Sequence, residues 1–366
     1  MISISLCMIV RDEEDVLERC LNSVYDIVDE IIIADTGSTD RSREIAQRFT
    51  EHVLDFPWVD DFAAARNFSF AQAGMDYIMW LDADDVLPEN SRLALMQLKE
   101  QLTADIDVVM MPYHMAFDEN DEPRFVYERE RLLKNHAGFS WKGAVHEAIT
   151  PSGKIIHAPQ VVIQHRKLKN SDPDRNLRIF EKQLAKGVQF SPRERFYYAR
   201  ELYYHQQYKQ AIDEFNKFLD MQGGWLENRL DAYRLLATCM EKMEQPQTAR
   251  RVLLGSLNED VPRAEICCHI GRLFLQEQNY RAAAFWYETA ANCIGDSSSG
   301  AFVDPDCYDY IPYMQLVVCY YHLGNMEKSY NYHLRAQKLR PNAPAVCYNQ
   351  KFFETCKSPV RTVSNS

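Results

Sequence analysis

The first half of the chain alternates strand-like apolar runs with helical segments, and this order limits the folds it can adopt. The strand-like runs cover residues 3–10, 30–35, 52–56 and 76–82. The helical segments between them cover residues 13–24, 41–49 and 62–74. Because parallel neighbours need a long crossover connection, usually a helix, the order predicts a mostly parallel, doubly wound sheet. In such sheets, ligands bind outside the carboxyl ends of the strands.

Length and charge narrow the classes of protein further. The 366 residues, 46% of them hydrophobic, are enough to form two domain cores. The 41 basic and 53 acidic residues give a net charge of -12, which repels phosphate backbones. We therefore expect two domains and no nucleic-acid partner.

The cysteine pattern and the N-terminus favour a cytoplasmic protein. The ten cysteines are scattered without a CxxC pair, which favours a reducing cytosol over secretion. The apolar N-terminus, ISISLCMIV, is followed at once by RDEED and is predicted to be a buried strand instead of a signal peptide. Because no run reaches the roughly 18 apolar residues that a membrane span requires, we expect no membrane span.

Carboxylates follow two of the strand-like runs. The run YIMWL leads into LDADDVL, and its Asp82 lies at a predicted strand end, as does Asp35 after the second run. The fold therefore brings both to one edge of the sheet. The chain has no GxGxxG or GxxxxGK loop to hold phosphate with backbone N–H groups. A divalent cation held by carboxylates, Mn²⁺ or Mg²⁺, can neutralise phosphate charge instead.

Other interpretations of the DxDD segment have to be weighed against a metal site. A solvated turn after a strand also contains aspartate frequently. An EF-hand loop does not fit, because its fifth and sixth positions would be Val86 and Leu87 instead of an oxygen ligand and a glycine. The combination of DxDD, Asp35 and the upstream pair Arg66 and Asn67 favours the metal site.

Four segments in order resemble family 2 glycosyltransferases of the GT-A fold. They are SLCMIVRDEEDVLERCLNSV, DEIIIADTGSTDRS, AARNFSFAQAGMDYIMWLDADDVL and WKGAVHEAI, and they span about residues 1–165. The resemblance implies a Rossmann-like α/β GT-A domain over residues 1–168. It also implies that Asp35 contacts the nucleotide, that Asp82 contacts ribose or the metal, and that Asp84 is a direct metal ligand. Arg66 would lie near the diphosphate.

The HE pair in WKGAVHEAI resembles a segment of a bacterial subgroup of this family. The resemblance implies that His146 is a further metal ligand, although a histidine in a hairpin also serves as a hydrogen-bonded structural residue. Glu147 is the expected base that removes the proton of the acceptor. Arg131, with Arg129 and Lys134 as further candidates, would stabilise the leaving diphosphate, unless these residues form a solvated basic face.

The second half contains a loose helical repeat. A small residue recurs at Ala211, Ala249, Ala283 and Ser329, at spacings of 38, 34 and 46 residues. The spacing is typical of tetratricopeptide repeats, and the loop-like residues 292–306 lengthen the third interval. We expect a linker helix over residues 169–192, an all-α tetratricopeptide-like solenoid over 193–345 and a flexible tail over 346–366. The many aromatic side chains of the second half suggest that the solenoid has a concave face that binds an extended peptide.

The order of the two domains resembles the sublancin-type peptide S-glycosyltransferases. That resemblance implies a metal-dependent, inverting transfer of a sugar from a nucleotide-sugar donor, with a UDP-sugar favoured, to a Cys, Ser or Thr side chain of a peptide or protein held by the repeats. Two alternatives stay open, namely transfer to a cell-envelope glycan and a non-enzymatic recruitment module. The sequence also leaves open whether the chain forms a homodimer.

Overall fold

The fold is taken from a computed structural model that describes residues 1–119, 121–168, 172–295 and 303–356. The chain divides into two compact units, with the boundary between Phe190 and Ser191. The first unit is a sheet flanked by helices, and the second is entirely helical.

The first unit contains nine strands and five helices among its described residues. The strands are β1 (Ile4–Val10), β2 (Glu30–Asp35), β3 (Val53–Asp55), β4 (Tyr77–Trp80), β5 (Asp85–Val86), β6 (Val108–Phe117), β7 (Pro123–Lys134), β8 (Ile155–His157) and β9 (Ile163–His165). The helices are α1 (Leu17–Asn22), α2 (Ser42–Gln47), α3 (Phe62–Phe70), α4 (Glu89–Gln101) and α5 (Arg175–Ala185). The predicted alternation through β4 is confirmed.

The sheet has the order β3-β2-β1-β4-β7-β6-β9-β5, and β8 pairs with β6. The four strands from β3 to β4 are parallel, as the sequence predicts. The remainder is mixed because β6 and β7 form a long antiparallel pair, and β7 runs antiparallel to β4. The sheet is therefore less parallel than the alternation alone implies, since β7 follows β6 directly as a hairpin, without a helix between them.

Side chains and backbone tie the loops after β1 and β2 together at the carboxyl edge of the sheet. The backbone N–H of Asp12 donates to Ser38 Oγ at 3.1 Å, and that of Glu13 donates to Ser42 Oγ at 2.7 Å. In the other direction, the N–H of Thr39 donates to Asp12 Oδ1 at 2.7 Å. These bonds fix the edge on which Asp35 lies.

The second unit consists of four helix pairs and one further helix in its described part. The helices are α6 (Pro192–Tyr204), α7 (Tyr208–Asp220), α8 (Leu226–Lys242), α9 (Pro246–Gly255), α10 (Ala264–Gln276), α11 (Tyr280–Asn292), α12 (Tyr310–His322), α13 (Met326–Leu339) and α14 (Pro344–Cys356). Each helix packs mainly against its partner and its neighbours along the chain, as in a helical repeat array. The predicted helical repeats are confirmed.

The turn inside each helix pair has the same backbone geometry. One residue per turn adopts a left-handed conformation, with φ of 59° at Gln206, 60° at Glu244, 57° at Gln278 and 75° at Gly324. The next N–H then bonds to the carbonyl five residues earlier, at 2.9 Å in all four turns. This Schellman motif ends the first helix of each pair and satisfies its last carbonyls. The turns recur at the spacings predicted from the small residues.

The small residues of the repeat lie where the two helices of a pair meet. All four are completely buried: Ala211, Ala249, Ala283 and Ser329. A larger side chain at these positions would meet the partner helix, because packed interiors have little free space. The spacing of the small residues in the sequence therefore marks where the two helices of each pair approach most closely.

The unit boundary and the C-terminus differ from the sequence-based expectation. The helix expected between the domains is α5, and it belongs to the first compact unit. Part of the expected tail forms α14, where Val346 and Phe353 are buried. Residues 169–171, 296–302 and 357–366 lie outside the described residues. Among the described helices, none has the length and apolar content to cross a membrane.

The turn geometry predicts that Gln278→Gly stabilises the second unit. Glycine carries no Cβ penalty in the left-handed conformation, so the free energy of unfolding should rise by up to about 1 kcal/mol. Gln276→Gly is the matched control, because Gln276 is equally exposed but still helical, and glycine should lower the free energy of unfolding there. Urea denaturation of both variants measures the change, and destabilisation by Gln278→Gly would contradict the assigned turn.

Candidate functional site

The DxDD segment leaves β4 and turns at once into β5. The backbone N–H of Asp85 donates to the Asp82 carbonyl at 3.0 Å, and the N–H of Asp82 donates to Asp85 Oδ2 at 3.0 Å. The Asp85 side chain is completely buried, while those of Asp82 and Asp84 are 33% and 16% exposed. Asp85 therefore holds the turn, and Asp82 and Asp84 are the carboxylates that solvent and ligands can reach.

The buried charge of Asp85 is balanced by Arg131. Arg131 Nη1 lies 3.0 Å from Asp85 Oδ2 and donates to the Trp80 carbonyl at 3.1 Å. The hydroxyl of Tyr113 donates to Asp85 Oδ1 at 2.7 Å. A buried carboxylate is tolerated only when it is paired and hydrogen-bonded. Arg131 and Tyr113 therefore hold the DxDD turn in place through the buried carboxylate of Asp85.

A β-bulge aims Arg131 at this position. The register between β6 and β7 passes from Val109 opposite Leu132 to Met110 opposite Glu130, so Arg131 is the extra residue. Bulges of this kind redirect a side chain. The Arg131 guanidinium consequently lies 3.7 Å from the Trp80 ring centroid.

The sequence analysis expected Arg131 to contact the leaving diphosphate, and its burial argues against that role. Its side chain has no exposed surface. Its Nε and Nη2 atoms are buried and lack a hydrogen-bond partner in the described part of the chain. Arg131 is thus a positioning residue for the DxDD turn.

His165 joins the carboxylates of the turn. It lies opposite Asp85 in the β5–β9 pair, and its Nδ1 is 3.2 Å from Asp84 Oδ1 and 3.4 Å from Asp85 Oδ1. One ligand atom from each of these three residues can be chosen so that all lie within 4.8 Å of one another. Carboxylate oxygen and imidazole nitrogen together suit Mn²⁺, and the carboxylates suit Mg²⁺.

The carboxylates around His165 favour a positively charged group at its position. Burial lowers the pKa of the imidazole, but hydrogen bonds and charge interactions with Asp84 and Asp85 outweigh it and raise the pKa to about 10. The imidazole is therefore held as a cation between two carboxylates. The same two carboxylates would stabilise a divalent cation at this position.

The late histidine beside the DxDD segment is thus His165, whereas the sequence analysis assigned His146. His146 lies in the short loop closed by the Lys142–Ala148 bridge, with φ of 52°. It does not belong to the metal-ligand group found among the described residues, and neither does Asp82. His165 ends a three-residue strand, IQH, too short to give a periodic signal.

Arg66 connects two predicted site residues that are distant in sequence. Its Nη2 lies 2.7 Å from Asp82 Oδ1, and its Nε lies 2.7 Å from Glu147 Oε1. The guanidinium also lies over the rings of Trp80 and Trp141, at 5.3 and 4.7 Å from their centroids. Burial raises the pKa of Asp82, but the charge and hydrogen bond of Arg66, together with the charges of Arg131 and His165, outweigh it and lower the pKa to about 2. Asp82 is therefore a carboxylate at neutral pH.

Asp35 lies at the same edge of the sheet as Asp82. It ends β2, which is separated from β4 only by β1. Its carboxylate is buried, accepts the N–H of Ser38 at 3.3 Å, and lies 3.8 Å from Arg43 Nη1. The predicted convergence of two strand ends on one edge is borne out by this topology.

The two remaining basic candidates lie at different places on β7. Arg129 pairs with the buried Glu130, with 3.0 Å between Nη2 and Oε1, and stays 23% exposed. Lys134 pairs with Tyr77 at the start of β4, at the opposite end of that strand from Asp82, and donates to the Ala104 carbonyl at 2.7 Å. Lys134 is therefore remote from the carboxylates, and Arg129 is the better candidate for a diphosphate contact.

A half-parallel sheet that carries a DxDD turn and a histidine at its carboxyl edge defines a GT-A-like domain. Residues 5–155 match the family model "Glycosyl transferase family 2". This stretch of the chain is therefore similar to a family 2 glycosyltransferase domain, and the helical repeats follow it.

Named relatives match parts of this arrangement. A TPR repeat-containing protein of Synechococcus elongatus is 37% identical over 180 residues, which cover 45% of this chain and 42% of that protein. The SPbeta prophage-derived glycosyltransferase SunS of Bacillus subtilis is 26% identical over 258 residues, which cover 65% of this chain and 58% of SunS. The chain thus spans about half the length of these two relatives.

A solved structure of similar type is glucosyl-3-phosphoglycerate synthase from Mycobacterium tuberculosis in complex with Mg²⁺ and uridine diphosphate. It is 24% identical with a TM-score of 0.26, over 31% of this chain and 44% of that one. A likeness of this size carries no argument about donor or metal.

The buried ion pair predicts a large stability loss for Arg131→Met. The change leaves the Asp85 carboxylate buried without a cation, which should lower the free energy of unfolding by about 3–5 kcal/mol. Urea denaturation measures the loss.

Two variants make this measurement specific. Arg41→Met removes an exposed pair with Glu14 and should cost far less than Arg131→Met, because solvent screens that pair. Adding Asp85→Asn to Arg131→Met removes the stranded charge and should recover part of the stability. Equal stability of Arg131→Met and the wild type would contradict the account.

Proposed function

We propose that the chain is a metal-dependent, inverting glycosyltransferase that moves a sugar from a nucleotide-sugar donor to a peptide or protein side chain. The observation that carries the proposal is the group of Asp84, Asp85 and His165 at the carboxyl edge of a family 2 glycosyltransferase domain. The similarity to SunS, a protein named as a glycosyltransferase, supports the same class of reaction.

Asp84 and His165 would hold the divalent cation, Mn²⁺ or Mg²⁺, and the buried carboxylate of Asp85 would add negative charge behind them. The cation would supply positive charge for the diphosphate that leaves with the nucleotide. Asp85 is already fixed by Arg131 and Tyr113, so the ligand positions are set before any ligand arrives. Such preorganisation lowers the cost of ordering the site. The guanidinium of Arg129 lies 4.7 Å from the centroid of the Trp80 ring, and Trp80 is the last residue of β4 before the DxDD segment. Arg129 would therefore add a second positive charge near the diphosphate.

Asp35 and Asp82 would contact the nucleoside. A carboxylate only accepts hydrogen bonds, so a buried Asp35 matches the imide N–H of uracil or the hydroxyls of ribose. This match suits the UDP-sugar that we propose, but thymine and guanine carry similar N–H donors, so the comparison of UDP-, GDP- and TDP-sugars decides between them. Arg66 holds Asp82 at a fixed distance from Glu147, and thereby links the donor end of the site to the acceptor end.

Glu147 is the proposed base. Its Oε1 accepts from Arg66, while its Oε2 has no hydrogen-bond partner among the described residues and can receive a proton. In the reaction, the acceptor sulfur or oxygen gives its proton to Glu147 and forms the bond to the anomeric carbon. The bond from that carbon to the diphosphate breaks at the same time, and its electron pair leaves with the nucleotide.

The helical repeats would hold the acceptor, a peptide or protein with a Cys, Ser or Thr side chain. Stacked helix pairs form extended surfaces that suit an extended segment. A cysteine acceptor requires the least of the base, because a thiol loses its proton more readily than a hydroxyl. Every cysteine whose side chain is described is a free thiol, which supports a cytoplasmic location where such an acceptor stays reduced.

The base assignment predicts that Glu147→Gln abolishes transfer while donor binding is kept. Glutamine can still accept from Arg66 but cannot take a proton, so the transfer rate should fall by about 10²- to 10⁴-fold. Incubating the full chain with UDP-sugars, Mn²⁺ and peptides that contain Cys, Ser or Thr, followed by mass spectrometry, detects the added sugar. Calorimetry measures donor binding separately.

Glu89→Gln is the control, since its side chain is 74% exposed on α4 and should leave the rate unchanged. Wild-type rates in Glu147→Gln would remove Glu147 as the base. Sugar transfer to a glycan acceptor, with none to any peptide, would contradict the proposed acceptor class.

A further inference from the structure

A pocket in the second unit is built from the first helices of three successive pairs. Its walls come from α6, α8 and α10, together with Tyr308 before α12. The cavity measures about 90 Å³. On this measure one water molecule needs about 10–15 Å³, so the pocket has room for more than one small group. The pocket therefore suits neighbouring side chains of an extended segment.

Most charges that line the pocket are paired with one another. Arg234 Nη2 lies 2.6 Å from Asp231 Oδ1, and Arg263 Nη2 lies 2.9 Å from Glu227 Oε1. The carboxylate of Glu265 accepts the hydroxyl of Tyr308 at 3.2 Å and the N–H of Asp304 at 2.9 Å. These pairs leave little charge to attract a ligand.

Arg200 on α6 differs from the other two guanidinium groups. No carboxylate in the described part of the chain lies within salt-bridge distance of it, and its Nε is buried without a hydrogen-bond partner. The guanidinium lies over the Tyr197 ring, 4.5 Å from the centroid, which holds it in one orientation. An arginine held flat against a ring keeps its donors available to a carboxylate.

We propose that this pocket binds the carboxylate of a peptide segment through Arg200, with an apolar side chain of the same segment against Phe196, Leu230 and Ile266. This inference rests on the proposed function, because it names the chemical class of the acceptor segment. The carboxylate belongs to an aspartate or glutamate side chain or to a free C-terminus, which present the same chemistry to a guanidinium.

The apolar lining supports a segment in which the two groups are adjacent. Phe196 and Leu230 are buried, as is Ile266, and they line the same cavity as Arg200. Trp225, at the start of α8, is 45% exposed and also lines it. Aromatic and arginine side chains are the usual anchors of binding sites for peptide segments.

Binding of four dye-labelled peptides to the full chain tests the inference without the need for catalysis. The peptides share the sequence Gly-Ser-X-Leu-Ser-Gly, with X as Asp or Asn, and the C-terminus free or amidated. Fluorescence anisotropy should show that a carboxylate tightens binding by about tenfold or more, as a charge-assisted bidentate bond implies. The Asp-amide and Asn-acid peptides distinguish a side-chain carboxylate from a terminal one.

Variants connect the preference to the pocket. Arg200→Gln should bind all four peptides equally, while Arg200→Glu should prefer a peptide with Lys at X, which shows that the variant is folded. Arg251→Gln is the control, because Arg251 is an exposed arginine on α9 outside the pocket, and it should keep the preference. Equal binding by the wild type of peptides with and without a carboxylate, or an unchanged preference in Arg200→Gln, would overturn the inference.

The same experiments distinguish failure of the proposed function from failure of this inference. An Arg200-dependent preference without sugar transfer to any peptide would keep the pocket and remove the transferase proposal. Transfer to peptides that is indifferent to a carboxylate and to Arg200 would do the reverse.

Discussion

The site of the first unit depends on the buried ion pair between Asp85 and Arg131. Both side chains are completely buried, and they come from a two-residue strand and from a bulge in the long strand β7. The pair costs desolvation energy, so its value lies less in stability than in fixing the DxDD turn. With Asp85 held, Asp84 faces His165, where we propose the metal, and Asp82 faces Arg66, which also pairs with the proposed base Glu147.

The two units are organised by different interactions, namely charge pairs in the first and repeated helix packing in the second. The first concentrates charge at one sheet edge, where aromatic rings such as Trp80 and Trp141 keep guanidinium groups stacked and partly desolvated. The second repeats one turn and one small residue, and this repetition stacks successive helix pairs along the chain. In that unit, the guanidinium of Arg200 lines a pocket and has no carboxylate partner among the described residues.

The sequence predicted what local pattern controls. Strand and helix order placed Asp35 and Asp82 on one edge, and the spacing of small residues marked the helix pairs, because both follow from periodicity and chain connectivity. The buried position of Arg131 could not be predicted, because a bulge, not the alternation of the strand, decides where it points. His165 was missed because its place depends on a short, non-local pairing of β9 with β5. Such pairings leave no signal within a single segment.

Calorimetric titration of UDP-, GDP- and TDP-sugars into the full chain, with Mn²⁺, with Mg²⁺ and with chelator, tests the central claim most directly. The account predicts binding of one donor that requires the cation, is lost in Asp84→Asn and His165→Ala, and is kept in His146→Ala. Binding that is indifferent to chelator, or lost in His146→Ala but kept in His165→Ala, would contradict it. Absence of binding for every donor by a folded protein would contradict the glycosyltransferase proposal itself.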